Sequence, residues 1–217
     1  MEIMINGEGS DVINIIMVLT LITVAPFMLL MMTCFARIVI VFSFIRNALG
    51  LQQTPPNQVL IGLALFVTFF VMSPVFSQIN ETAIQPYNEG QIETQEFLER
   101  ASVPLKEFML RQTTSNEVDL FKSLSNRTDL DSMPAEELPM NVVVPAFATS
   151  ELKRAFLIGF LLFIPFLVID LIVASTLMSM GMIMLPPVMI SLPFKIMLFV
   201  VVDGWGLLIR TLVMTYN

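Results

Sequence analysis

Residues 151–177 read ELKRAFLIGFLLFIPFLVIDLIVASTL. From Ala155 to Leu177 the run is apolar with one charge, Asp170, and one mid-run proline, Pro165. A helix needs about 20 apolar residues to cross a hydrocarbon core of about 30 Å, so this stretch has the length of a membrane span. A soluble domain of this size has no use for an apolar run of that length, and the reading of this stretch decides the class of the fold.

Three further apolar segments flank it. The first runs from about Val12 to Ile45, with Pro26 inside it and Arg37 near its end; the second covers about Val59 to Phe76; the fourth spans about Phe194 to Thr215 and carries Lys195, Asp203 and Arg210. As one helix at ~1.5 Å per residue the first segment would be some 50 Å long, so it must tilt, kink or rise out of a bilayer. Pro26 and Pro165 are the expected segment breaks. Each break frees backbone groups that lipid cannot satisfy, which requires neighbouring helices or a water-lined cavity. Interrupted helices of this kind suit transport proteins better than simple anchors. The chain therefore divides into an N-terminal hydrophobic hairpin (1–77), an acidic central region (78–150) and a C-terminal hydrophobic hairpin (151–217), all of it α-helical.

Between the third and fourth segments lies MSMGMIMLPP, residues 178–187, with a methionine at every second position: Met178, Met180, Met182 and Met184. Positions i and i+2 share a face only in an extended chain. Gly181, Pro186 and Pro187 also argue against a regular helix. The stretch reads as an irregular or extended loop with a row of thioethers on one side, which either fills a core or offers a conformable apolar surface.

Composition excludes several classes of function. The chain is 217 residues long, 56% hydrophobic and carries a formal charge of −7. There is no histidine, which removes the commonest metal ligand and general base. The single Cys34 can form neither an intramolecular disulfide nor a thiolate cluster, and it reads as buried filler. No basic stretch suggests a nucleic-acid partner, and no cofactor is implied. Asp170 and Asp203 raise the idea of an intramembrane aspartyl protease. That chemistry needs two carboxylates sharing a proton, and Asp203 would lie about two turns deeper than Asp170 if the hairpin closes.

The same hairpin brings Asp170 and Lys195 to similar depth, since both are about equally far from its midpoint near residue 182. A charge in an apolar segment costs about 2.5–3.5 kcal/mol, so such groups pair or face a protein interior. Asp170 and Lys195 either pair with each other or find separate partners; Arg210 reads as snorkelling near a helix end. In the central region, ETQEFLERASVPLKEFMLRQ (93–112) has helical apolar spacing, with Pro104 as a break or first-turn residue, and Asn116 is placed to cap a short helix over NEVDLFKSLS. The opening MEIMINGEGSD lacks the basic start of a cleavable signal, so the first segment is expected either to serve for insertion or to follow a mature terminus. Arg46, the one charge between segments one and two, favours the cytoplasmic side for that loop, which sends the central region outward.

VPAFATSELKRAFLIGF (144–160), MGMIMLPPVMISLP (180–193) and PFKIMLFVVVDGW (193–205) resemble the FliP family of type III export-gate proteins, in its flagellar branch, and the resemblance extends over the whole chain. It implies a non-enzymatic core subunit of the flagellar export gate, in the bacterial inner membrane at the flagellar basal body, with the central domain periplasmic. It implies several copies, apparently five, that form a closed protein-conducting channel with FliQ- and FliR-like partners, the hairpins kinked and raised above the bilayer plane. Further implied partners are FlhB- and FlhA-like export proteins, a FliO-like assembly factor, the surrounding membrane ring, membrane lipid and the exported flagellar polypeptides. By the same resemblance Met178, Met180, Met182 and Met184, with Gly181, line the closed pore as a gasket, and Glu151 joins Asp170 and Lys195 in one buried charge cluster. Ser150 is then the expected N-cap of the third segment, with Glu151 in its first turn. Members of this family often carry a cleavable signal. The closely related virulence-secretion branch leaves a second reading, a structural or assembly scaffold without direct pore lining.

Overall fold

The computed structural model describes residues 16, 19, 20, 23, 26, 28, 30–125, 127–130, 133–182 and 184–216. Among these residues every regular element is helical and there is no strand. In chain order the elements are α1 (Phe35–Ala48), α2 (Asn57–Ile79), a π-helical turn at Asn80–Ile84, the short α3 (Gln85–Asn88), α4 (Thr94–Gln112), α5 (Ser115–Leu124), 3₁₀ turns at Thr128–Leu130 and Ala135–Glu137, then α6 (Met140–Ser179), α7 (Pro187–Val201) and α8 (Gly204–Met214).

Helix α1 is the centre of the molecule. Its buried residues Phe35, Ile38, Val41, Phe42, Ile45 and Ala48 recur every three or four positions, which makes one apolar stripe. That stripe packs chiefly against α6 and also against α2. The two helices approach closely at Gly159, where a Cβ would lie 2.5 Å from the Phe44 ring. Phe44 also meets Phe156 edge-on at 5.3 Å. Glycine at 159 is thus what lets an aromatic side chain of α1 lie against the α6 backbone.

Two helical paths, Asn57–Asn88 and Met140–Ser179, are long and apolar enough to cross a membrane; α7 and α8 make a third if the bent pair counts as one span. Of the most apolar window of α6 only 11% is buried within the chain. Phe156, Phe160, Leu161, Leu171 and Ile172 all stand exposed. At ~1.5 Å per residue the 40 residues of α6 extend about 60 Å, roughly twice the hydrocarbon thickness.

The helix boundaries differ from the sequence reading in several places. Helix α6 runs through Pro165 without interruption, and Pro145 also lies inside it. Each proline there removes one backbone bond and leaves the rest of the ladder to carry the helix. Residue 150 is likewise interior to α6, whose N-cap position is Pro139, so Ser150 is not a cap and Glu151 is not in the first turn. Ser150 Oγ instead accepts a bond from the Thr114 amide at 3.3 Å. Pro104 sits inside a continuous α4, and the cap position of α5 is Thr114 and not Asn116.

Most of the first segment before residue 30 lies outside the described residues, and a break around Pro26 lies outside them with it; Pro26 itself is helical and exposed. A break that the apolar pattern did not mark occurs at Thr33 and Cys34, just before α1. The fourth segment is also two helices and not one. They meet at Val202 and Asp203 with a bend of 61°. Asp203 adopts a left-handed backbone (φ 50°, ψ 55°), and a Cβ on Gly204 would fall 2.2 Å from the Phe199 ring. At the bend Trp205 meets Phe42 at 5.8 Å and Phe199 at 5.5 Å, both edge-on.

The central helices dock on the first third of α6. Phe108 of α4 meets Phe147 at 5.9 Å, Arg154 donates to Gln112 Oε1 at 3.0 Å, and Lys153 bonds Glu117 Oε1 at 3.0 Å. The lysine beside Glu117 holds its carboxyl below the usual carboxylate range.

Candidate functional site: two buried ion pairs and a methionine turn

Ser191 and Lys195 are one turn apart on α7 and so share a face. Opposite them on α6 is Asp170. Lys195 Nζ donates to Asp170 Oδ2 at 2.6 Å, and Ser191 Oγ donates to Asp170 Oδ1 at 2.5 Å. The lysine side chain is 3% exposed and the aspartate 25%. Lys195 also donates to the Ala48 carbonyl at 3.1 Å. That carbonyl is among the last of α1, which have no partner within their own helix, and a cation there complements the helix dipole. One ammonium group therefore ties α1, α6 and α7 together. Of the two arrangements the sequence left open, the direct Asp170–Lys195 pair is the one found.

Glu151 does not join them. It lies 19 residues earlier on the same helix, about 28 Å away along the axis. Its partner is Arg37 of α1, which donates through Nε to Oε2 at 3.0 Å and through Nη2 to Oε1. Both side chains are 1% exposed. Arg37 Nη1 also donates to Thr215 Oγ1 at 2.9 Å, and its guanidinium lies 4.0 Å from the centroid of the Tyr216 ring. The Tyr216 hydroxyl donates to Glu151 Oε2 at 2.7 Å. The single three-residue cluster expected from the resemblance is thus two separate sites, each closing on the C-terminal part of the chain. Fork-to-carboxylate bonding plus a stacked ring satisfies a fully desolvated guanidinium far better than a lone contact would.

The methionine row is not extended. Met178 lies in the last turn of α6 and Met180 is its C-cap residue. Gly181 then takes a left-handed backbone (φ 77°), its amide bonds the Met178 carbonyl at 3.0 Å, and the Met182 amide bonds the Leu177 carbonyl at 3.0 Å. These two bonds form a Schellman cap, the commonest way a glycine ends a helix. A period of two across a helix end scatters the side chains around the turn. Met178 and Met180 are each 65% exposed, Met184 is 98% exposed and Met182 is half-buried. The turn therefore projects an apolar, flexible tip from the α6–α7 connection, with Pro186 and Pro187 opening α7.

Asp203, at the N-cap of α8, and Arg210 on α8 are both exposed and flank a shallow depression with Val202, Gly206 and Leu207. Asp170 is engaged by Lys195 and Ser191 and not by Asp203, so no shared-proton carboxylate pair forms between the two aspartates. Among the described residues, no group of three His, Cys, Asp or Glu side chains is placed to hold a metal ion. Three participants had gone unassigned in the sequence: Arg37 as the partner of Glu151, and the C-terminal Thr215 and Tyr216. For Arg37 a signal existed, because a cation in an apolar run demands an acid at its own depth. Nothing in the spacing of Thr215 and Tyr216 announces their role.

The sequence model of the FliP family matches residues 18–212. The flagellar biosynthetic protein FliP of Bacillus subtilis (strain 168) is 53% identical over 207 residues, which cover 95% of this chain and 93% of that protein. The protein of the same name from Pectobacterium carotovorum subsp. carotovorum is 52% identical over 213 residues, 97% of this chain and 82% of that one. That of Aquifex aeolicus (strain VF5) is 48% identical over 213 residues, 97% and 89% respectively. A family model that matches residues 18–212, and relatives about half identical over nearly the full length, show that the chain belongs to the FliP family.

Proposed function

We propose that this chain is a core subunit of the flagellar export gate, and that several copies, five on the family resemblance, build with FliQ- and FliR-like partners a closed protein-conducting channel. It performs no chemistry; flagellar polypeptides pass through it, and other components of the apparatus, among them FlhB- and FlhA-like proteins, supply the energy. The observation that carries this reading is the α6–α7 unit. An apolar helix about twice as long as a bilayer core is thick, with only 11% of its most apolar window buried, needs other chains or lipid over that window. It ends in the methionine turn. A ring of such turns would present thioethers that conform to one another at rest and to varied polypeptides in transit. A narrow apolar constriction also resists ions because it dewets.

In this reading the assembly sits in the bacterial inner membrane within the flagellar basal body, with the central helices α4 and α5 on the periplasmic side facing the membrane ring, and a FliO-like factor assists its formation. Replacing Met178, Met180, Met182 and Met184 with alanine should leave the mass of the detergent-extracted complex unchanged and admit small ions through the resting gate. A complex of normal mass that stays as ion-tight as wild type returns the methionines to a packing role.

A further inference from the structure

Helix α8 is fixed at both ends and lies on the core along one side, where Leu208 and Leu212 are buried. At one end it joins α7 through the left-handed Asp203, at the 61° bend. At the other, Thr215 and Tyr216 grip three elements at once. The Tyr216 ring covers the Arg37 guanidinium of α1 at 4.0 Å and its hydroxyl reaches Glu151 of α6 at 2.7 Å. Its carbonyl accepts from Gln112 Nε2 of α4 at 3.4 Å, and Phe108 of α4 stacks on its ring at 6.1 Å. Between these ends α8 borders an apolar cavity of about 360 Å³, whose far wall is Ile158, Leu162 and Phe166 of α6.

We infer that Tyr216 is a clasp that positions α8 by closing over the Arg37–Glu151 pair, and that α8 pivots at Asp203 and repacks into the cavity when the clasp opens. The ion pair makes this possible. When Thr215 and Tyr216 leave, the guanidinium and carboxylate keep their mutual bonds, so no charge is stranded; what is lost is the ring over the cation, the hydroxyl bond to Glu151, the Thr215 bond to Arg37 Nη1, the Gln112 contact and the Phe108 stack. Those losses are modest one by one and occur together, as a two-state element requires. The pivot has the backbone for the motion, since Asp203 already occupies a left-handed conformation next to a glycine. The clasp is a property of the folded chain and does not depend on the export reading.

Cys34 reports on it directly. It is the only cysteine in the sequence, is 0% exposed, and lies within electrostatic range of both Arg37 and Glu151. In membranes holding the full chain, an uncharged maleimide should modify Cys34 slowly in the wild type. Tyr216→Phe, which keeps the ring over Arg37 and gives up the hydroxyl bond to Glu151, should be intermediate, whereas Tyr216→Ala should be faster than the wild type by about tenfold or more, the factor expected when a desolvated cation–π contact is lost and local opening becomes easier. Tyr216→Leu replaces the alanine variant in the same comparison should the latter fail to accumulate. Adding Leu162→Trp, which fills the cavity, should bring the Tyr216→Ala rate back toward wild type; a chain that was merely destabilised would be made worse by the extra bulk. The inference is overturned if removing the ring leaves Cys34 as slow as in the wild type, if Tyr216→Phe reacts as fast as Tyr216→Ala, or if filling the cavity accelerates the reaction.

Discussion

Lys195 of α7 bonds Asp170 of α6 at 2.6 Å while a second N–H of the same ammonium reaches the Ala48 carbonyl of α1 at 3.1 Å. Removing one member of such a pair strands a charge and costs about 3–5 kcal/mol. Asp170→Ala and Lys195→Ala should each lower the yield of assembled complex and reduce motility on soft agar. Exchanging the two charges should recover only part of the loss, because an aspartate at 195 cannot donate to Ala48. Full recovery by the exchange would mean that the Ala48 bond contributes nothing.

Gly159 faces Phe44, whose ring would sit 2.5 Å from an added Cβ. Gly159→Ala must therefore push the ring or separate α1 from α6, at a cost of about 1–3 kcal/mol for overpacking. Phe44→Leu in the same chain should relieve much of it. The check is the thermal unfolding midpoint of the two single variants and the double variant in detergent; strict additivity would show that the two positions do not meet.

At the α7–α8 bend, backbone and side chain make opposite demands. Asp203→Gly suits φ 50° and should be neutral or slightly stabilising, whereas Asp203→Val places a β-branched residue in a left-handed backbone and should cost about 1–3 kcal/mol. Gly204→Ala drives a Cβ into Phe199 at 2.2 Å and should be worse than either. The same unfolding assay ranks the three; a Gly204→Ala chain as stable as the parent would contradict the packing at the bend.

Glu117 supplies a pH dependence. Lys153 draws its carboxyl below the ordinary 4.5, so the bond contributes stability above that value and loses it as pH falls through the lower folded-state value. The stability difference between wild type and Lys153→Met should be constant from neutral pH down to about 5 and shrink below about 4.5. A difference that persists unchanged at pH 3 would assign the effect to packing of the lysine stem instead.

Much of this architecture was legible in the chain, and the reasons are specific. Apolar runs announce long helices because bilayer thickness sets their length, and a connection whose midpoint is equidistant from Asp170 and Lys195 put the two at similar depth, with direct pairing one of two arrangements left open. Helix ends were read less well. Pro165 looks like a stop, yet a proline removes only one bond from a long ladder that packing holds together. The methionine spacing looked extended because a period of two cannot be told from the end of a helix until the Gly181 cap is seen. Asp203 and Gly204 carried a turn signal that the surrounding apolar residues obscured. The Arg37–Glu151 site is a contact across 114 positions that closes on Thr215 and Tyr216; the apolar run around Arg37 signals the need for an acid, but no local pattern says which one.

The placement of the methionine turn in the conducting path is tested most directly by crosslinking. A photoreactive side chain at Met184, 98% exposed at the tip, and another at Phe160, exposed on the flank of α6, can be compared in cells holding a flagellar substrate stalled in export. The account predicts a substrate adduct from position 184 and none from position 160. Adducts from position 160 alone, or from neither while the substrate is demonstrably stalled, would contradict it and leave this chain as a scaffold outside the pore.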